Sequence, residues 1–154
     1  MQLINHMRLE FDARPENESF ARIAVSACTV PFNPTLDVLS DIRTAISEAV
    51  TNAIVHAYQE RGGIIALDAG LREDGRLLLS VRDWGCGIAD VEKAREPLFT
   101  TGGEERSGMG FAVMQSFMDA IRVESEVNAG TTVYMEKQLR LQEDAPREPE
   151  AALN

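Results

Sequence analysis

Hydrophobic positions change their spacing several times along the chain. Met7, Leu9 and Phe11 alternate with Arg8 and Glu10, the two-residue period of a half-buried strand. Pro15 then opens a helix on which Phe20, Ile23, Ala24 and Ala27 form one apolar face, with Cys28 beside it. Pro31 and Pro34 break the chain before a long second helix, where Val38, Ile42, Ile46, Ala49, Val50 and Ala53 are spaced as a buried stripe; Gly62-Gly63 ends it. An apolar segment from Ile64 to Leu71 is joined through Glu73-Asp74-Gly75 to the run Leu77 to Val81, and Asp-Gly between two such runs signals a hairpin. Ser107 is placed to cap a third helix carrying Phe111, Val113, Met114, Phe117 and Met118. Ile121 to Glu124 and Thr131 to Leu139 make a second strand pair, turned at Asn128-Ala129-Gly130.

This succession predicts an α+β protein, a two-layer α/β sandwich with helices on one face of a mainly antiparallel sheet. The 154 residues fit one domain with a real core, expected over residues 1–140. From Gln142 the chain reads Gln-Glu-Asp-Ala-Pro-Arg-Glu-Pro-Glu, too polar to bury, so residues 141–154 are expected to be an acidic, disordered tail.

Charge narrows the partners. A formal net charge of −10 argues against direct nucleic-acid binding, which rests on clustered Lys and Arg, and leaves basic protein surfaces plausible. Two cysteines, no secretory leader and no apolar run near the roughly 20 residues that cross a bilayer point to a cytoplasmic protein without a membrane partner.

Three separated stretches carry candidate chemistry: Glu48-Ala-Val-Thr-Asn52, Asp83-Trp-Gly-Cys-Gly87 and Gly108-Met-Gly110. Glu48 and Asn52 are four apart and share a helix face. Asp83 follows a strand, and a carboxylate at the base of a pocket accepts from the amino group of adenine while repelling the carbonyl of guanine. Gly85 and Gly87 allow positive φ and a close backbone approach to a ligand. Gly108 and Gly110 let backbone N–H groups wrap phosphates at a helix start. Asn52 offers a neutral oxygen to a Mg2+ ion that keeps several waters and bridges phosphate oxygens. Glu48 is placed to take a proton from a hydroxyl attacking the γ-phosphate. Arg106 is placed to stabilise charge on that phosphate, and the Thr100-Thr101-Gly102-Gly103 run reads as a lid over it. Thr131 reaches the adenine edge through water. Singly, each has an ordinary reading: a tight turn for the glycines, exposed polar positions for Glu48, Asn52 and Arg106, and a strand former for Thr131. His56 continues the Glu48–Asn52 row, and a contact with the helix C-terminal dipole is its expected role. Cys86 is taken as incidental.

Together these stretches resemble the N, G1 and G2 boxes of the GHKL ATPases, which share the Bergerat ATP-binding fold. Ser47-Glu-Ala-Val-Thr-Asn-Ala-Ile54, Pro97-Leu-Phe-Thr-Thr101, Glu105-Arg-Ser-Gly-Met-Gly-Phe111 and Gly130-Thr-Thr132 look like the anti-sigma factor serine kinases, most closely their sporulation branch. The resemblance runs from about Met7 to Leu139. It implies a homodimeric protein that holds a sigma factor away from RNA polymerase and uses Mg-ATP to phosphorylate a serine of an anti-anti-sigma antagonist. Carried over, Glu48 is the base, Asn52 the Mg2+ ligand, Asp83 the adenine acceptor and Arg106 the γ-phosphate contact. Thr100, Thr101, Ser107, Gly108, Gly110 and Thr131 join the nucleotide contacts. Asn17-Glu-Ser-Phe-Ala-Arg22 also matches and makes Arg22 a partner-surface residue. Arg61-Gly-Gly-Ile64 and Gly102-Gly-Glu-Glu105 depart from the sporulation pattern.

Two alternatives stay open: the stress-response branch of the same kinases, and a nucleotide-dependent sequestering module that transfers no phosphate. A serine hydroxyl benefits from a separate base, whereas a substrate histidine is already nucleophilic, so Glu48 favours serine transfer or hydrolysis over a histidine kinase.

Overall fold

In the computed structural model, residues 2–94 and 107–140 are described. The chain runs β1 (Leu3–Asp12), α1 (Glu16–Cys28), a 3-10 turn (Val30–Phe32), α2 (Leu36–Asn52), a π turn (Ala53–Ala57), β2 (Ile64–Arg72), β3 (Arg76–Asp83), α3 (Val91–Ala94), α4 (Ser107–Phe117), β4 (Ala120–Glu126) and β5 (Gly130–Gln138). The five strands form one antiparallel sheet in the order β1-β2-β3-β5-β4. The predicted α+β sandwich is therefore the observed architecture. No helix among the described residues is long and apolar enough to cross a membrane.

Strand parity builds the core. Leu67, Ala69 and Leu71 of β2, Leu77, Leu79 and Val81 of β3, and Val133 and Met135 of β5 turn to one face. They meet Ile42, Ile46, Ala49 and Val50 of α2 and Phe111 and Met114 of α4, which pack against one another over the sheet. The opposite face is polar and partly ion-paired, with Asp68 of β2 taking His6 and Arg8 of β1. The stripe expected on α2 is buried as read, and Thr35 caps this helix by accepting the Val38 N–H at 3.3 Å.

Helix α1 differs from expectation. Its buried side is Ala21, Val25 and Cys28, while Phe20 is 51% and Ile23 62% exposed and Ala27 faces outward. Both sets fit a helical period, and polar contacts choose between them. Glu18 accepts from Thr51 Oγ1 at 3.0 Å, and the Arg22 guanidinium donates to Ser47 Oγ at 2.9 Å, which turns the Glu18–Arg22 edge toward α2. The long helix also stops being α-helical at Asn52, well before Gly62-Gly63.

Candidate nucleotide site

Asp83 is the last residue of β3 and keeps the inward parity of Leu77, Leu79 and Val81, so the strand drives a carboxylate under the helices, 6% exposed. Among the described residues its hydrogen-bond donors both reach Oδ1: the Gly85 N–H at 2.9 Å and the Thr131 N–H at 3.2 Å. Oδ2 is left for the cavity that Asp83 lines. Burial pushes the Asp83 carboxyl above its usual range, and the two N–H bonds pull it partly back. Thr131 lies opposite Asp83 in the sheet register and shares a hydrogen bond with Ser125, Oγ1 to Oγ 2.8 Å; Ser125 Oγ also accepts the Ile88 N–H at 2.7 Å. The Thr131 hydroxyl is thus engaged by protein, and its backbone N–H fixes the carboxylate.

The glycine loop is clamped from both sides. At the end of α2 the backbone widens into the π turn, closed by the Tyr58 N–H donating to the Ala53 carbonyl at 3.0 Å. The Cys86 N–H donates to the Ala57 carbonyl at 2.9 Å, and a Cβ on Gly85 would lie 2.3 Å from that same oxygen. Gly87 has φ +74°, and a Cβ there would lie 2.1 Å from the Glu126 carbonyl oxygen. Gly87 lines the cavity in the left-handed conformation expected of it. Gly85 corrects the sequence reading: its φ is not positive and it does not line the cavity, because its close approach is to the Ala57 carbonyl. Tyr58 ties the loop's first residue, its hydroxyl donating to the Ile64 carbonyl at 2.5 Å and accepting the Trp84 N–H at 2.8 Å.

Between these elements lies a cavity of about 480 Å³, lined by Asn52 and His56 on one wall, Asp83, Thr131 and Val133 on the sheet, Gly87 to Asp90 and Lys93 on the loop side, and Phe111 of α4. This is the size and partly apolar character of a small-ligand site. Asn52 is the last residue of α2, and its Nδ2 is buried without a hydrogen-bond partner among the described residues. A Cβ on Gly110 would fall 2.8 Å from that nitrogen and 2.9 Å from Oδ1, so Gly110 is the position that lets α4 close on the amide. Four of the sequence-predicted residues, Asn52, Asp83, Gly87 and Thr131, thus line one cavity, and a fifth, Gly110, packs against the Asn52 amide.

Others stand apart. Glu48 is half-buried one turn before Asn52 and does not line the cavity; burial and then the negative charge of Glu18 push its carboxyl above the usual range. Arg22 is held by Glu18 at 2.7 Å, Ser47 at 2.9 Å and Ser19 at 2.9 Å, and lines a separate groove between α1 and α2 with Leu36, Leu39, Ser40, Arg43 and Thr44. Thr100, Thr101 and Arg106 lie outside the described residues. Ser107 and Gly108 open α4, and their surroundings lie outside the described part as well. Cys86 is exposed, and its thiol donates to the His56 carbonyl at 3.3 Å. Sequence reasoning missed Ser125, Lys93 and the place of His56 in the cavity wall. The sequence does place His56 in the Glu48–Asn52 row, but that step alone does not tell a cavity wall from the end of a helix.

No cluster of three or more His, Cys, Asp or Glu side chains among the described residues is built to hold a metal alone. A Mg2+ ion fits this site only as a partner of nucleotide phosphates, with one neutral oxygen from the buried Asn52 amide.

Residues 11–137 match the histidine kinase-like ATPase domain, and the chain belongs to that family. Within it, the chain is 56% identical over 137 residues to the anti-sigma F factor of Geobacillus kaustophilus, covering 88% of this chain and 93% of that one. It is 50% identical over 143 residues to the anti-sigma F factor of Clostridium acetobutylicum, covering 92% and 99%. The fold matches the RsbU and RsbW domain structure of a Mycobacterium tuberculosis protein with TM-score 0.64 and 23% identity, over 88% of this chain and 32% of that one. The catalytic domain of the histidine kinase ThkA matches with TM-score 0.54 and 18% identity, over 86% and 97%. The GHKL resemblance of the three motifs is thereby upheld, with the anti-sigma F factors as close relatives.

Proposed function

We propose that this chain is an anti-sigma factor of the sporulation type: it binds a sigma factor and uses Mg-ATP to phosphorylate a serine of a protein antagonist. The observation that carries the nucleotide part is Asp83, buried, held through Oδ1 and offering Oδ2 to the cavity. An acceptor in that state takes a hydrogen from the adenine amino group and rejects the guanine carbonyl. Asn52, across the cavity, supplies the oxygen for the metal, which would neutralise phosphate charge when bound with ATP. Glu48, on the same helix, is the base for the serine hydroxyl, and burial and the Glu18 charge raise its carboxyl above the usual range, which makes it a stronger proton acceptor. Arg106 and the Thr100-Thr101 segment complete the phosphate end in this reading. The sigma factor partner rests on the relatives called anti-sigma F factor. Support for a partner surface at Arg22 comes from α1, which exposes Phe20 and Ile23 to solvent in the turns around it. A homodimer belongs to the same proposal, tested by sedimentation.

Glu48 does not line the cavity, and that observation favours keeping one second reading, a sequestering module that binds ATP without transferring phosphate. Transfer of labelled γ-phosphate from Mg-ATP to an anti-anti-sigma protein, with Glu48→Gln as control, decides between them. Wild type alone labelling a serine supports the kinase. Tight ATP binding without label leaves the sequestering module.

A further inference from the structure

The groove between α1 and α2 is opposite in sign to the chain that forms it. The sequence carries a net charge of −10, yet this groove of about 270 Å³ is lined by two arginines, Arg22 and Arg43, and by no carboxylate. Arg22 is engaged, its guanidinium held by Glu18, Ser19 and Ser47. Arg43 is exposed and has no ion pair or hydrogen bond among the described residues. Leu36 and Leu39 line the groove beside it, Leu36 being 83% exposed. Leu36, Ser40, Arg43 and Ser47 are spaced as one helix face, turned away from the buried stripe of Val38, Ile42 and Ile46. An uncompensated cation beside exposed leucines fits an acidic segment with apolar residues among its charges.

The chain itself contains such a segment. After Arg140, beyond the described residues, it reads Leu141-Gln-Glu-Asp-Ala-Pro-Arg-Glu-Pro-Glu150, where Glu143, Asp144, Glu148 and Glu150 outweigh Arg147 and Leu141, Ala145, Pro146 and Pro149 are interleaved. This stretch lies past residue 137, where the match to the ATPase domain ends. Its point of departure is fixed. Leu139 is buried and its N–H donates to the Gly75 carbonyl at 2.9 Å, and the Arg140 guanidinium stacks 4.6 Å from the Phe32 ring centre. Phe32 ends the 3-10 turn that joins α1 to α2, and Leu36 opens α2 just after it. The segment therefore leaves from the end of α2 at which the groove begins. Along α2 the rise from Leu36 to Ser47 is roughly 16 Å, and residues 141–150 extended reach about 33 Å, so the segment spans the groove. Arg72 and Arg76, next to Gly75 at the same end of the sheet, already pair with Asp74 and Glu136 and do not compete for it.

We propose that the acidic segment 142–150 docks in the groove between α1 and α2 of its own chain, its carboxylates against Arg43 and its apolar residues on Leu36 and Leu39. It is a tethered occupant, which any protein partner of this face has to displace. A short tether holds its segment at millimolar effective concentration, so a contact too weak to form between separate molecules is populated. Its charges stay near solvent, so salt weakens it. The proposal is independent of the nucleotide reading and adds a resident competitor to the partner surface at Arg22.

The test records backbone amide spectra of the full chain as wild type and as a neutralised variant carrying Glu143→Gln, Asp144→Asn, Glu148→Gln and Glu150→Gln. Neutralisation is expected to move the resonances of Leu36, Ser40, Arg43 and Thr44 while those of Asp83 and Thr131 stay in place, and added salt should move wild type toward the variant. A synthetic peptide of residues 141–154, titrated into the neutralised variant, should return the groove resonances to their wild-type positions. Adding Arg43→Gln to that variant should weaken the peptide roughly fivefold, the loss of one exposed ion pair. Melting temperatures should stay near wild type, since Arg43 is exposed and the segment lies past the matched domain. Groove resonances identical in wild type and the neutralised variant would overturn the proposal and leave this face to a separate protein. Shifts confined to another surface would overturn it too. So would groove shifts that grow with protein concentration, which would assign the contact to a second copy of the chain.

Discussion

Gly110 and Asn52 are interlocked: a single added methyl on Gly110 would fall 2.8 Å from the Asn52 Nδ2 and 2.9 Å from its Oδ1. The absence of a side chain in α4 is what leaves the amide at the end of α2 its position in the cavity wall. A helix glycine is otherwise unfavourable by about 1 kcal/mol relative to alanine.

Gly110→Ala should therefore separate stability from binding. The helix gains propensity, the Asn52 amide is displaced, and the melting temperature changes by only a few degrees while affinity for Mg-ATP falls tenfold or more. Calorimetry beside a thermal melt reads both. Unchanged affinity would show that the amide shifts without consequence for the nucleotide.

Glu48 carries a pH signature. Its carboxyl is raised by burial and by Glu18, so the folded state resists its ionisation. The stability linked to this group is complete below the unfolded value, about 4.3, and is lost as pH rises through the raised folded value. Glu48→Gln should melt at or above wild type at neutral pH, with the advantage shrinking toward pH 4, and it should keep ATP affinity while losing phosphate transfer. A variant less stable at neutral pH than at pH 4, relative to wild type, would contradict the sign.

Asp83→Asn keeps an acceptor for the Gly85 and Thr131 N–H groups but removes the charge at the position facing the base. ATP affinity should fall by about 1–3 kcal/mol, the scale of a hydrogen bond to a charged group. Calorimetry with ATP and GTP should also show the preference for adenine narrowing, and an unaltered ratio would remove Asp83 from base selection.

Tyr58→Phe deletes the hydroxyl between the Ile64 carbonyl and the Trp84 N–H. The expected destabilisation is about 1 kcal/mol, read from the urea midpoint, because both backbone groups are near enough to the surface to regain water. Nucleotide affinity should fall too, since the tether lies one residue from Asp83.

Much of this arrangement was legible in the chain because it depends on local rules. The buried stripe of α2, the Asp74-Gly75 hairpin and the parity of β3 each follow from spacing and turn chemistry within a dozen residues, and they suffice to set Asn52 and Asp83 facing one space. Helix α1 was misread because Phe20/Ile23/Ala27 and Ala21/Val25/Cys28 are equally good helical faces; the choice is made by Glu18 and Arg22 reaching Thr51 and Ser47, contacts distant in sequence. The π turn leaves no pattern of its own, so the spacing extends the helix to Gly62-Gly63 and gives His56 a contact with its C-terminal dipole. Gly85 was recognised as a required glycine for the wrong partner, since sequence does not reveal that the Ala57 carbonyl lies against it.

Trp84 is the single tryptophan of the chain, 43% exposed, with the Arg82 guanidinium 4.8 Å from its ring centre and its backbone hung on Tyr58 beside Asp83. Its indole emission comes from one place only, the outer side of the loop that follows β3, half in water and half against a cation. The unmodified protein thus carries a single optical reporter one residue from Asp83, and a nucleotide titration of the native chain, without a label, tests whether the surroundings of this loop change on binding.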